Sequence, residues 1–251
     1  MGIQDDSTVR SVSRALEIMA LIGSHPEGVN LRETVDATRL PKTTVLRLLQ
    51  TLEANGLVWK AGSQSYILGP TLLHLATQSL DSWRMPPPLA EKLEALAGEC
   101  NETLNLWVRR NHLRVLVWQA QGRQSLRNVA WLGDQESMDA GAPSKVLLMG
   151  MSDDFIREVA LMSSRGPGHL ETLRSSVAET LERGWAISHG EREEGLSGVA
   201  VPVRSAKGVI VAALTLSGPT SRFTPDRIES FVERLKACAE EVGRVGFGPQ
   251  L

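Results

Sequence analysis

The chain has 251 residues, 42% of them apolar and 22% charged, with a formal net charge of −2. That length allows one large domain or two modest ones with a useful core, and the charge rules out a global basic field while leaving room for a local basic patch. No run of 18 apolar residues offers a membrane span, the polar start MGIQDDSTVRS lacks the apolar centre of a signal peptide, and the two cysteines, Cys100 and Cys238, fit no metal spacing. The expectation is a soluble cytoplasmic protein in a reduced compartment.

Residues 1–10 are polar and read as loose. From Ser11, Val12, Ala15, Leu16, Met19 and Ile22 recur at helix spacing, until Ser24-His25-Pro26-Glu27-Gly28 breaks the run. Asn30 caps a short second helix with Glu33 at its third position, a variant capping box, and Leu31 and Val35 point inward. Pro41 forces that helix to end near Arg39-Leu40 and reads as the first residue of a third helix. In PKTTVLRLLQTLEANG, Val45, Leu46, Leu48, Leu49 and Leu52 fill one arc, and Asn55-Gly56 ends the helix. LVWK (57–60) and SYILG (65–69), joined by AGSQ, read as a hairpin. PTLLHLATQSLDSW (70–83) reads as a further helix, and Pro86-Pro87-Pro88 as a stiff, non-helical joint and the domain boundary.

The second half mixes elements. A helix is expected over 89–100. Strands are expected at 103–110, 113–121 and 125–133, with a tight turn at Asn111-His112. GAPSKVLLMGM is a loop entering a helix. Helices at 153–163 and 171–183 precede a short strand at 185–188, a glutamate-rich loop, and strands at 198–205 and 208–218. A last helix starts at the cap Thr224 with Pro225 and runs to about Val245. Hairpin strands with helices on the side make an α+β domain.

Three short helices, a tight turn before the third and a hairpin after it is the order of a winged helix-turn-helix. The third helix then buries its apolar arc and leaves hydrogen-bonding side chains to reach bases or phosphates. Thr43, Thr44, Arg47, Gln50 and Thr51 meet that need. Arg47 can read guanine and Gln50 adenine, while Lys42 and the uncapped amides at the helix start suit a phosphate. The hairpin tip, Gly62, Ser63 and Gln64, with Lys60, is expected to lie along the DNA backbone or minor groove. The competing reading is an ordinary three-helix bundle with a solvated face. Between residues 7 and 80 seven Lys and Arg stand against five Asp and Glu, so affinity rests on placement and on two copies rather than on bulk charge.

These pieces resemble the isocitrate-lyase-regulator (IclR) family of bacterial transcription factors. VRSVSRALEIMALI is similar to its first helix, LPKTTVLRLLQTLEANGLVWK to its turn, recognition helix and wing start, and YILGPTLLHLA to its wing end and linker helix. GWAISHGEREEGLSGVAVPV and VIVAALTLSGP resemble the signature of its effector domain. The resemblance implies a winged helix-turn-helix domain (1–69), a linker helix and Pro-rich joint (70–88), and a GAF-like effector-binding domain (89–251) with an antiparallel sheet flanked by helices. It implies double-stranded palindromic operator DNA and a small-molecule effector, often a carboxylic or aromatic acid, as partners, and a homodimer or homotetramer. No cofactor, metal or membrane is implied.

The resemblance also places the effector pocket. The family uses the backbone of a small-residue loop before a Gly-Lys; here the loop is Gly141-Ala142-Pro143-Ser144-Lys145, with Ala142 and Pro143 at the contact positions and no amide at Pro143. Ser188 stands where an acid is common and Gly198 where a cysteine is common, whereas Thr215 and Ser217 keep the hydroxyls and share one strand face. The pocket expected is poor in polar contacts and roomy at Gly198. Among Trp107, Trp118, Trp131 and Trp185 some can line it, the alternative being core. Arg109, Arg110, Arg114, Arg123 and Arg127 can include a carboxylate partner.

Two other functions compete. A hydrolase would use Ser144, Ser188, His189, Glu191, Glu193 and Glu194, but no G-x-S-x-G, S-x-x-K or H-E-x-x-H motif is present, the five histidines show no metal spacing, and the glutamate run reads as a solvated loop. An architectural DNA-binding protein without effector would leave the large second domain idle.

Overall fold

The protein is described by a computed structural model covering residues 9–62, 64–166 and 168–249. Of the segment read as loose, residues 1–8 lie outside the described residues, as does Ser63 at the hairpin tip. The chain divides into two compact units, Met1–Ser82 and Trp83–Leu251.

The first unit runs α1 (Arg10–Gly23), β1 (Val29–Asn30), α2 (Leu31–Thr38), α3 (Lys42–Ala54), β2 (Val58–Ala61), β3 (Ser65–Leu68) and α4 (Thr71–Ser82). Its core is Ile18, Ile22, Val29, Val45, Leu49, Leu52, Val58 and Tyr66. The inward arc of α1 lies about one residue step round from the expected one: Ile18 and Ile22 are buried, and Val12 and Leu16 are more than half exposed. The helix is apolar on two sides, and among the described residues the side facing α2, α3 and β3 is the one that is buried. The capping box forms, with Glu33 N on Asn30 Oδ1 at 2.9 Å and Asn30 N on Glu33 Oε2 at 2.8 Å. Arg39 at φ 54° turns the chain out of α2. Pro41 is then the cap residue of α3 and not its first helical residue: its ψ of 138° is extended, and its carbonyl takes the amides of Thr44 and Val45. The hairpin pairs Val58 with Leu68 through Ala61 with Ser65, and β1 adds a third strand beside β3. This is a winged helix-turn-helix.

The second unit runs α5 (Pro87–Cys100), β4 (Thr103–Arg110), β5 (Leu113–Ala120), β6 (Gln135–Ser137), α6 (Ala142–Leu148), α7 (Asp153–Leu161), α8 (His169–Arg183), β7 (Ala186–His189), β8 (Leu196–Arg204), β9 (Ile210–Pro219) and α9 (Pro225–Val245). The strands form one antiparallel sheet in the order β6-β5-β4-β9-β8-β7. Alternation splits each strand between two cores. Leu104, Leu106, Val199, Val201, Leu214 and Leu216 join α5 and α9 on one face. Trp107, Leu116, Ala186, Ala200 and Ala213 join α6, α7 and α8 on the other. The fold class is α+β.

Two expectations fail here. Pro87 and Pro88 open α5, with Pro86 as the cap, so only part of the proline run is a joint; the first amides of a helix have no partner within it, so proline costs nothing there. Residues 125–133 form no strand. Leu126, Val129, Trp131 and Leu132 are exposed, the β5 edge is taken by β6, and the segment is tied down instead by Thr103 Oγ1 donating to the Asn128 carbonyl and Arg222 to the Leu126 carbonyl. The same Arg222 forks onto the fully buried Glu102 at 2.6 and 2.7 Å, fixing the end of β9.

Gly243 lets α9 lie close on β8: a side-chain carbon there would stand 2.0 Å from the Arg204 carbonyl oxygen. Gly243→Ala is expected to destabilise the second unit by about 1–3 kcal/mol through overpacking, despite the better helix propensity of alanine. Chemical denaturation checks this; an unchanged midpoint would show that the helix shifts freely.

Candidate functional site

In the first unit α3 is anchored by Val45, Leu49 and Leu52 and exposes the opposite side. Thr43, Arg47 and Gln50, spaced three and four apart, form its central exposed ridge. Thr44 and Thr51 sit on the flank facing α1, where with Arg47 they border an apolar groove of about 540 Å³ that also takes Val12, Leu16 and Leu48. Thr51 Oγ1 donates back to the Arg47 carbonyl at 2.9 Å, which commits its proton within the helix. Lys42, Lys60 and Gln64 border a second groove of about 570 Å³ between α2, α3 and the hairpin, together with Arg32, which the sequence reading passed over. No side chain caps α3, because the proline ring carries no acceptor, so the amides of Lys42 and Thr43 have no partner within the helix.

In the second unit the sheet register assembles the other site. Ser188 pairs with Gly198, Gly198 with Ser217, and Ser217 with Thr103, so one row crosses four strands. The next row sets Ala200, Thr215, Asn105 and Gln119 side by side. Over these rows lies a cavity of about 60 Å³ walled by Asn105, Trp107, Arg114, Pro143, Ser188, Gly198, Thr215 and Ser217, among others. Five of the six residues expected at an effector pocket line it. The sixth, Ala142, opens α6 and is fully buried in the core, while Gly141 and Pro143 on either side reach the wall.

The wall is rich in polar groups, contrary to the expectation. Asn105 Nδ2 and Asn128 Nδ2 both donate to Ser217 Oγ, at 3.0 and 2.9 Å, and Gln119 Nε2 donates to Asn105 Oδ1. With its oxygen accepting two bonds, the Ser217 hydroxyl has its proton left to give. Thr215 Oγ1 is buried and has no hydrogen-bond partner among the described residues. An unpaired buried hydroxyl costs about 1–3 kcal/mol, a cost that a ligand atom in the cavity would remove. The amides escaped the sequence reading because they come from β4, β5 and the 125–133 segment, none of which carries a motif.

Arg114 closes the far wall. It is 3% exposed, forks onto Glu136 through Nε at 2.9 Å and a second, shorter bond, and donates to the Ala140 carbonyl and to Ser144 Oγ. Its guanidinium lies 4.8 Å over the Trp107 ring. Burial pushes its pKa down to about 10 even against the pull of Glu136, so it stays charged at neutral pH while desolvation outweighs the attraction. Of the five arginines put forward, this one faces the cavity with a carboxylate, and that carboxylate is the protein's own. Of the four tryptophans, Trp107 alone lines the cavity; Trp118 and Trp185 pack on the core, and Trp131 is 75% exposed.

The glutamate-rich loop is only partly solvated. Glu193 and Glu194 are exposed, but Glu191 is bonded to the Gly141 amide and to Lys145. His189 meets Ser197, its register partner across β7 and β8, at 2.8 Å, and Ser197 bonds on to Thr220. A nucleophile–base pair needs a carboxylate on the far ring nitrogen of the imidazole, and among the described residues no carboxylate bonds His189. Among the described residues no three His, Cys, Asp or Glu side chains converge for a metal, and no helix is long and apolar enough to cross a membrane.

Fold and sites together define a winged-helix protein that carries a separate α+β unit with a polar cavity. Residues 11–61 match the IclR helix-turn-helix domain, and residues 78–244 match the bacterial transcriptional regulator IclR C-terminal domain. The acetate operon repressor of Salmonella typhimurium is 29% identical over 255 residues, covering 93% of this chain and 89% of its own. A Rhodococcus sp. structure described as an IclR-family transcriptional regulator is 38% identical, covers 98% of this chain and 97% of its own, and superposes with a TM-score of 0.63. An IclR homologue from Microbacterium hydrocarbonoxydans, complexed with 4-hydroxybenzoate, shares the fold at 21% identity and a TM-score of 0.74, over 93% of this chain and 97% of its own. The chain belongs to the IclR family of bacterial transcriptional regulators.

Proposed function

We propose that this protein is a ligand-responsive, sequence-specific regulator in which two copies of α3 read a palindromic operator and a small organic acid, aliphatic or aromatic, occupies the cavity over β9. It acts by binding and not by catalysis, in the cytoplasm, as a homodimer or homotetramer. The observation that carries the ligand-responsive reading is Thr215: a buried hydroxyl without a partner, two residues from the donor Ser217, on the wall of an otherwise well-bonded cavity. The 4-hydroxybenzoate of the Microbacterium relative supports an acid, and the small cavity favours a compact one. Self-association is supported by α4, which has no buried residue and exposes Leu73, Leu75 and Leu80. One short reading helix contacts too few base pairs to be selective alone.

The test is a mobility shift of the purified protein on DNA from beside its own gene, over a salt series, with and without candidate acids. Absence of any sequence-selective shift under all these conditions would sink the proposal. Within it, Thr215→Val with Ser217→Ala is expected to weaken the effector response about tenfold or more, the worth of two hydrogen bonds, and to leave unliganded DNA binding intact. Loss of both responses would point to a damaged fold.

A further inference from the structure

One carboxylate ties the loop between β7 and β8 to the start of α6. Glu191 Oε2 accepts the Gly141 amide at 2.9 Å, and Oε1 accepts Lys145 Nζ at 2.5 Å. Lys145 is 9% exposed, and its other bond runs to the Ile187 carbonyl at 2.8 Å. Gly141 and Glu191 line the cavity, whereas Lys145 is not part of the wall. The Glu191 carboxylate therefore screens a buried ammonium from the space that Thr215 and Ser217 face. At its base the loop is closed by Gly190 N on the Leu196 carbonyl at 2.8 Å and by Thr220 N on the Gly195 carbonyl at 2.7 Å. It turns through Gly190 and Gly195 at φ 62° and 80°, each with open space where a side chain would stand. Arg165 donates to the Glu191 carbonyl, and Arg192 approaches Glu136 at 3.3 Å.

We infer that Glu191 is a tethered competitor of the effector: it occupies a carboxylate seat made by Lys145 and the Gly141 amide, and an incoming acid displaces it and releases the loop from Gly190 to Gly195. The inference rests on the reading of the effector as an acid. A buried lysine cannot be left without a counter-charge, so a neutral ligand cannot open the seat, whereas one carboxylate can replace another with no change of charge. The two partners are unequal in a way that sets the direction of exchange. The Glu191 side chain is 30% exposed on an irregular loop and can swing into water, while the Lys145 side chain on α6 is largely buried and stays. The partnerless Thr215 hydroxyl on the same cavity independently marks this space as one that receives a ligand. Acids are thereby selected over their amides, and weakly binding acids are kept out by the resident carboxylate.

The test is chemical rescue in the full chain, independent of which acid is the natural effector. Wild type, Glu191→Ala, Glu191→Gln and the double variant Glu191→Ala with Lys145→Met are unfolded thermally in sodium acetate, and in sodium chloride with or without acetamide, at matched ionic strength. Acetate is expected to raise the Tm of both single variants by roughly 2–4 °C more than that of wild type. The double variant and the acetamide arm should show no such gain. An acetate response equal in all four proteins, or absent from the single variants, overturns the inference. Should Glu191→Ala fail to fold, Glu191→Gln carries the same test, because glutamine keeps the side-chain volume and one acceptor oxygen, for either Gly141 or Lys145, while losing the charge. The acid-effector reading fails separately: it falls if no carboxylic acid alters the DNA mobility shift while the acetate rescue stands.

Discussion

Arg114→Ala is expected to lower the stability of the second unit by about 3–5 kcal/mol, the cost of breaking a buried ion pair from one side. Thermal unfolding should register this as a fall of roughly 2–4 °C for each kcal/mol. The loss has three parts. Glu136 loses both guanidinium bonds, the Ala140 carbonyl and Ser144 hydroxyl lose their donor, and the stacked face of Trp107 opens to a void. Arg192, 3.3 Å from Glu136, can cover part of the stranded charge, which places the cost nearer the lower figure. Because burial already outweighs the attraction at Arg114, removing both charges should be far cheaper than removing one. Arg114→Met with Glu136→Met is expected to recover most of the stability. A double variant as unstable as Arg114→Ala would show that the arginine's packing, and not its charge, is what the unit depends on.

Arg47→Ala is expected to cost about 1–3 kcal/mol of base discrimination per copy, hence roughly a hundredfold or more in selectivity when two copies read one operator. The reason is placement. Arg47 stands on the central ridge of α3 between Thr43 and Gln50, exposed, while the leucines beneath hold the helix rigid. Competition binding between operator and unrelated DNA measures it. The contrast is Lys42→Ala at the helix start beside the hairpin groove, which should weaken both DNAs alike and reduce the salt slope by about one per copy. If Arg47→Ala weakens both DNAs equally, Arg47 is a phosphate contact and base reading falls to Gln50 and Thr43.

Much of the local structure was legible in the chain because it is dictated by neighbours. The capping box at Asn30 and Glu33, the end of α8 at Gly184, and the cap Thr224 with Pro225 at the start of α9 are all local, and the elements fall where those signals put them. The arc of α1 and the segment 125–133 were misjudged for the opposite reason. Each offers apolar residues on more than one side, and which side is buried depends on what packs against it. Pro41 shows the limit within a single residue: its type announces a helix start, but whether it is the cap or the first helical residue is set by the turn geometry after Arg39.

The sites divide in the same way. The sequence by itself determined α3 and its two faces, since the leucine arc and the polar face are both written at helix spacing, and it paired Thr215 with Ser217 by strand alternation. Only the tertiary structure decided what surrounds those hydroxyls. Sheet register brings Asn105 and Gln119 alongside Thr215, Asn128 arrives on a segment with no strand pairing, and Arg114 and Glu136 meet from neighbouring strands. Glu191 is separated from Lys145 by 46 positions, so nothing in either residue's neighbourhood announces the bond. Burial explains why those pairings matter: a charge or amide removed from water must find its partner wherever the fold puts one, and that partner is chosen by packing between distant segments.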